Sequence, residues 1–168
     1  IGVIAFDSIA DWTVPMQKAE ENRESITKAI GMIQPAGGTS ILPALRLAAQ
    51  GMENISTKQK HIILLTDGQA EQEGYDGILE QMRSGGVTLS AIAVGSGADT
   101  ALLQRLAEAG GGRYYFTNEF TDLPEIFAKE TLLAGKDYIN ERGFFPKQGD
   151  ASAILSGISS VPELNGYI

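Results

Sequence analysis

Cysteine is absent from the 168 residues, and histidine occurs once, at His61. The first absence removes disulfides, thiolate nucleophiles and Cys-ligated zinc or iron–sulfur sites. The second leaves no basis for a Ser–His–Asp hydrolytic arrangement. Positive charge is also scarce: 13 Lys and Arg face 21 Asp and Glu, for a net charge of −8. A domain this acidic binds phosphate backbones poorly, and its acidity serves solubility. No apolar run approaches the ~20 residues that span a bilayer, and the N-terminus lacks a signal-peptide pattern. Neither nucleic acid nor direct membrane contact is therefore expected of this chain. Residue 1 is Ile rather than Met, inside an apolar run. The chain is expected to be a piece of a longer protein, and these absences say nothing of that parent.

What is present is globular in character. Apolar residues make up 43% and charged residues 20%, which argues against disorder. The length suits one domain. Ile1–Phe6 is a β-branched apolar run closed by Asp7-Ser8, and reads as a buried strand. Residues 11–15 suggest a second strand, confined to an edge by Pro15. Residues 17–33 carry Ile26, Ile30 and Ile33 at helical spacing, and Pro35-Ala36-Gly37-Gly38 breaks that helix. Thr39 or Ser40 is the expected cap of the next helix, whose stripe is Ile41, Leu42, Leu45, Ala48, Ala49 and Met52, with Pro43 in its first turn. His61–Thr66 is an unalternating apolar run stopped by Asp67-Gly68, which suggests a strand buried on both faces.

The unit then recurs. Ile78, Leu79 and Met82 mark a helix, and Val87–Val94 a strand ending in Gly95-Ser96-Gly97. Leu102, Leu103 and Leu106 mark another helix, closed by Gly110-Gly111-Gly112; Tyr114-Tyr115-Phe116 is a strand and Leu123–Leu133 a final helix. Strand–helix alternation at this spacing implies an α/β fold with a doubly wound, mostly parallel sheet flanked by helices. Residues 1–135 form this domain, and residues 136–168, outside the rhythm, are expected to be an extension or linker.

Ligands of open α/β sheets bind at the carboxyl ends of the strands. The polar residues there are Asp7, Ser8, Thr66, Asp67 and Ser96, and the Gly37-Gly38-Thr39-Ser40 loop can reach the same edge. Asp67 is the sharpest candidate, because a carboxylate emerging from a core strand beside hydroxyl oxygens suits a hard cation such as Mg²⁺. Its plain alternative is a turn residue. The Gly37-Gly38-Thr39 loop lacks the Gly-Lys-[Ser/Thr] of a phosphate loop, and Gly95-Ser96-Gly97 lacks the third glycine of a dinucleotide fingerprint. His61, after Lys58-Gln59-Lys60 at the amino end of its strand, is expected at the surface. Glu71, Glu73 and Asp76 read as a solvated acidic face, and Trp12 as edge packing.

Taken in order, Ile1-Gly2-Val3-Ile4-Ala5-Phe6, Gly37-Gly38-Thr39-Ser40-Ile41, Leu64-Leu65-Thr66-Asp67-Gly68, Ile92-Ala93-Val94-Gly95, Leu106-Ala107 and Gly111-Gly112-Arg113-Tyr114-Tyr115 resemble the von Willebrand factor type A domain. The resemblance covers roughly residues 1–133 and rests on the ordered set. It implies a metal-ion-dependent adhesion site on the carboxyl edge, usually holding Mg²⁺, with Mn²⁺ as substitute. Thr39 matches the family's Thr loop and Asp67 its Thr-Asp-Gly loop. Asp-x-Ser-x-Ser, the remaining ligand loop, does not occur. The chain looks as if it begins at the family's second strand, N-terminally truncated. By that resemblance the metal ligands are Thr39 and Asp67, and metal binding is weak or absent in this fragment. Asp7, Ser8, Ser40, Gly68 and Glu71 are the candidate binding face. The resemblance also places an absent strand between the first strand here and the one ending at Asp67, leaving two unpaired inner edges. Residues 151–158, or strand exchange in a homo-oligomer, are expected to fill that gap.

Phe144-Phe145-Pro146, Ile154–Ile158 and Val161–Tyr167 resemble the stretch after such a domain in large bacterial membrane-anchored proteins that carry a glutamine-amidotransferase-like domain. The parent is then a cell-envelope protein. The expected function is a protein-binding module that accepts a partner's acidic side chain through the metal. A metal-independent structural or regulatory scaffold is the alternative, and a metal-assisted hydrolase built on Asp67 the third reading. No general base or nucleophile stands beside Asp67 in the sequence, so no enzyme is expected.

Overall fold

Alternating apolar and turn residues at the start of the chain form a hairpin in the computed structural model. It pairs β1 (Val3–Phe6) with β2 (Ala10–Val14), antiparallel, Phe6 opposite Ala10. The structure describes residues 1–34, 37–57 and 59–135. Two helices follow, α1 (Ala19–Gly31) and α2 (Ile41–Glu53). Then β3 (Lys60–Thr66), α3 (Asp76–Ser84), β4 (Val87–Val94), α4 (Thr100–Ala109) and β5 (Gly111–Thr117) alternate. A 3-10 turn at Phe120–Asp122 leads into α5 (Leu123–Ala134). The chain divides into a unit of Ile1–Glu130 and a second of Thr131–Ile168. Residues 136–168, including the segment expected to fill a strand gap, lie outside the described residues.

β3, β4 and β5 form a parallel sheet in that order, and β1–β2 is a separate two-stranded sheet. The fold class is thus the expected one, a parallel sheet with helices between its strands. The inner edges of β1 and β3 carry no partner strand among the described residues. β4 is the central strand, with all of Leu89–Val94 buried. Its Leu89, Ala91 and Ala93 meet Leu102, Leu103 and Leu106 of α4, Ile78 and Met82 of α3, and Ile41 and Leu45 of α2 in one core. Phe6 of β1 packs against this core.

Four expectations require correction. The first strand is half-buried along Val3–Phe6 rather than buried, because its sheet has only two strands among the described residues. β3 is not buried on both faces: only Leu64 and Thr66 are buried, and Leu65 is 36% exposed. An edge strand has a neighbour on one side only, so its apolar run is half covered. In α1 only Ile26 is buried, and Ile30 and Ile33 are exposed, because the helix ends at Gly31 and lies over the small β1–β2 sheet. Neither Thr39 nor Ser40 caps α2 through its side chain. The Glu71 carboxylate does, accepting from Leu42 N at 3.0 Å.

Candidate functional site

The carboxyl edge of unit 1 is assembled from three loops tied by backbone bonds. After β1, Asp7 Oδ1 accepts from Ile9 N at 2.8 Å, closing a tight turn. Asp7 O accepts from Ser40 N at 2.7 Å, and Ser8 Oγ donates to Gly37 O at 3.1 Å. The loop before α2 is therefore fastened to the β1–β2 turn. Gly38 holds φ +100 with Ser8 N 3.0 Å from where a Cβ would stand, so glycine is required there.

The third loop follows β3. Thr66 Oγ1 accepts from Gly68 N at 3.3 Å, and Gly68 O accepts from Asp99 N at 3.2 Å. Gln69 Nε2 donates to Gly97 O at 2.9 Å, fixing this loop to the one after β4. A Cβ on Gly68 would collide with Thr39 Oγ1, with Thr39 Cβ only 3.2 Å away. The Thr39 hydroxyl thus lies directly against Gly68, and Asp67, the preceding residue, is exposed.

Of the expected residues, the structure brings together Thr39, Asp67 and Gly68, with Asp7, Ser8 and Ser40 on the adjoining loops. Ser96 stands exposed in the turn after β4, and Thr66 is buried beneath the edge. Glu71, expected within a solvated acidic face, is instead half-buried and caps α2. Its charge also faces Tyr75, whose phenol is raised well above its ordinary pKa, first by burial and then by Glu71. The Tyr75 hydroxyl is buried without a hydrogen-bond partner. Among the described residues no group of three or more His, Cys, Asp or Glu is arranged to hold a metal. Thr39 and Asp67 are hard oxygen donors of the right chemistry, but they supply part of an octahedral shell. A Mg²⁺ ion there would keep most of its water.

Sequence reasoning missed a second polar cluster, on the face of the parallel sheet opposite α4. Glu130 of α5 is 0% exposed. Its carboxylate accepts from Ser90 Oγ at 2.6 Å, Arg113 Nε at 2.8 Å, Arg113 Nη2 at 2.8 Å and Tyr115 OH at 2.6 Å. Burial alone would raise its pKa, but the Arg113 fork and the two hydroxyls outweigh burial and hold it at about 2. His61 lies in the same cluster, not at the surface as expected, and its side chain is 13% exposed. Its Nδ1 is 2.6 Å from Thr88 Oγ1, and its Nε2 is 3.0 Å from Glu130 Oε1 without hydrogen-bond geometry. Burial pushes His61 below its ordinary pKa, Glu130 pulls it up and Arg113 pushes it down. The signal was present at Ser90, a polar residue inside an otherwise apolar buried strand, which must find a partner. Only its partner, 40 residues on, was out of reach of local reasoning.

The model of the von Willebrand factor type A domain matches residues 1–129. Calcium-activated chloride channel regulator 1 of Bos taurus is 30% identical over 139 residues, which cover 80% of this chain and 15% of that protein. With the human regulator 4 the shared part is 16% of that protein, so the chain spans a small fraction of these relatives. A von Willebrand factor type A structure from Catenulispora acidiphila superposes with TM-score 0.69 at 23% identity, over 87% of this chain and 37% of that one. Proximal thread matrix protein 1 of the mussel byssus, with a zinc-occupied MIDAS motif, superposes with TM-score 0.61 at 25% identity, over 76% of this chain and 34% of that one. Domains of this type are commonly adhesion or protein-interaction modules, some with a metal-ion-dependent adhesion site. The matched span includes every strand among the described residues and the three-loop edge, and the chain belongs to the von Willebrand factor type A domain family.

Proposed function

We propose that unit 1 is a protein-recognition module whose carboxyl edge, centred on Thr39 and Asp67, takes an acidic side chain of a partner through a weakly held divalent cation. The observation that supports it best is the contact of the Thr39 hydroxyl with Gly68, which brings the Thr39 loop against the turn that carries Asp67. Asp7 and Ser8 rim the same edge. The cation supplies the charge that attracts a carboxylate, and Thr39 and Asp67 fix where it sits. Calorimetric titration with Mg²⁺ and with Mn²⁺ tests this reading, followed by melting with and without metal. Binding stabilises the fold by RT ln(1 + [L]/Kd). A rise in melting temperature that Asp67→Ala abolishes supports the site. No rise at millimolar metal favours the second reading, a metal-independent scaffold, to which the sparse acid set at this edge also points.

The split sheet supports a related proposal about partners. Among the described residues β1 and β3 each have one edge with no partner strand, flanked by half-buried Ile4, Ile62 and Ile63. Such edges recruit strands, and strand exchange between copies of the chain would close them.

A further inference from the structure

The β1–β2 hairpin carries a hollow that the proposed recognition edge does not use. Ala5 of β1 stands opposite Asp11 of β2, so both side chains share one face of the hairpin. A small residue opposite the carboxylate leaves room there. The hollow measures about 210 Å³ and is lined also by Phe6, Asp7, Ile9 and Ile33. Pockets for small molecules hold ~300–1,000 Å³. This one is sized for a single side chain of a larger partner.

Its walls and its charge both point to an occupant. Ile9 is 72% exposed and Ile33 41% exposed. Ile9 sits in the hairpin turn, where Gly, Asn, Asp and Ser are the usual residues. Apolar side chains left exposed together at one hollow mark an interaction site. Of the residues that line it, only Asp7 and Asp11 carry charge, and both are negative. Asp7 Oδ1 accepts from Ile9 N at 2.8 Å, and Asp11 Oδ1 accepts from Trp12 N at 2.7 Å. These bonds hold both carboxylates in place. The Oδ2 of each has no hydrogen-bond or ion-pair partner among the described residues. The complementary group is a cation on an apolar stem. Arginine suits it better than lysine, because the guanidinium is planar, weakly hydrated and matched to carboxylates. A lysine ammonium is strongly hydrated and loses more on entering apolar walls.

We propose that this hollow receives an arginine side chain of a partner protein, with the guanidinium on Asp7 and Asp11 and apolar neighbours of that arginine against Ile9 and Ile33. The inference does not rest on a cation at Thr39 and Asp67. A guanidinium brings its own charge, so binding proceeds without metal.

Amide-shift titration of the isotopically labelled full chain in EDTA tests it. The probes are capped leucyl-arginyl-leucine, the same peptide with citrulline in place of arginine, and free arginine. Citrulline keeps the shape and removes the charge. The arginine peptide is expected to shift the Ile9, Asp11 and Ile33 amides at ~millimolar concentration. Citrulline should weaken binding about fivefold, the scale of exposed ion pairs. Free arginine, without the apolar neighbours, should bind more weakly than the peptide. Asp7→Asn combined with Asp11→Asn keeps both Oδ1 acceptors and so the turn. It should weaken the arginine peptide by the same factor, and citrulline should then add no further loss. Ile9→Ser, at an exposed position, should weaken the peptide about threefold. Equal binding of the citrulline peptide, undiminished binding by the double variant, free arginine as tight as the peptide, or shifts that appear only with Mg²⁺ would each overturn the proposal. So would the absence of shifts up to ~20 mM peptide.

Discussion

Replacing Glu71 with Ala removes the acceptor that holds Leu42 N at 3.0 Å and so uncaps α2. The first turn of α2 has no acid of its own and no side-chain cap from Ser40, so nothing local compensates. Losing a helix N-cap costs about 1 kcal/mol, and losing a negative charge at that end costs a further ~0.3–1 kcal/mol. The sum, ~1–2 kcal/mol, corresponds to a fall of about 3–6 °C in melting temperature for a chain of this size. Glu71→Gln keeps an oxygen acceptor and should lose roughly half as much. Melting followed by circular dichroism in EDTA and in Mg²⁺ separates a cap from a ligand. A cap predicts the same fall in both. A melting temperature unchanged in EDTA, with loss of the Mg²⁺ response, would refute the reasoning and return Glu71 to the binding face.

Other outcomes follow from single contacts. Tyr75→Phe removes a buried hydroxyl with no hydrogen-bond partner; an unmet polar group costs ~1–3 kcal/mol, so the variant should match or exceed the parent's urea midpoint, and a clear fall would contradict the contact. Gly112→Ala puts a Cβ against the Leu89 carbonyl and 2.6 Å from Ser90 Oγ; overpacking of this kind should cost about 2–3 kcal/mol, read by denaturant unfolding. Glu130 is held at about 2, so its contribution to stability is complete above its unfolded value of about 4.5 and fades as pH falls toward 2. Glu130→Gln should therefore flatten the acid limb of the stability profile. Light scattering across a concentration series should show mass growth through the open strand edges, and a strict monomer at all concentrations would count against strand exchange.

The parts legible in the sequence were those with local causes. The mostly apolar run Val87–Val94 announced a strand, and it is buried almost throughout. Leu102, Leu103 and Leu106 announced the helix that packs on it. The ordered loops around Thr39 and Asp67 announced the edge, because turn glycines and strand-end polar residues are set by neighbours a few positions away. What local reasoning could not reach was set by distant contacts. β3 looks like a core strand, but its exposure depends on whether a strand lies beside it. The acceptor for Leu42 N comes from Glu71, 29 residues on, so capping was assigned to the nearest hydroxyls. His61 read as a surface residue because the α5 carboxylate that covers it is 69 positions away, and sequence spacing carries no trace of that meeting.

The proposed recognition edge places a divalent cation at Thr39 and Asp67. Paramagnetic Mn²⁺ added to the isotopically labelled chain tests it most directly, by mapping which amide signals broaden. The account predicts selective broadening at Ser8, Thr39, Ser40 and Gly68 at ~millimolar Mn²⁺, removed by Asp67→Ala. Broadening centred instead on the acids after Gly74, or unchanged in Asp67→Ala, would contradict it.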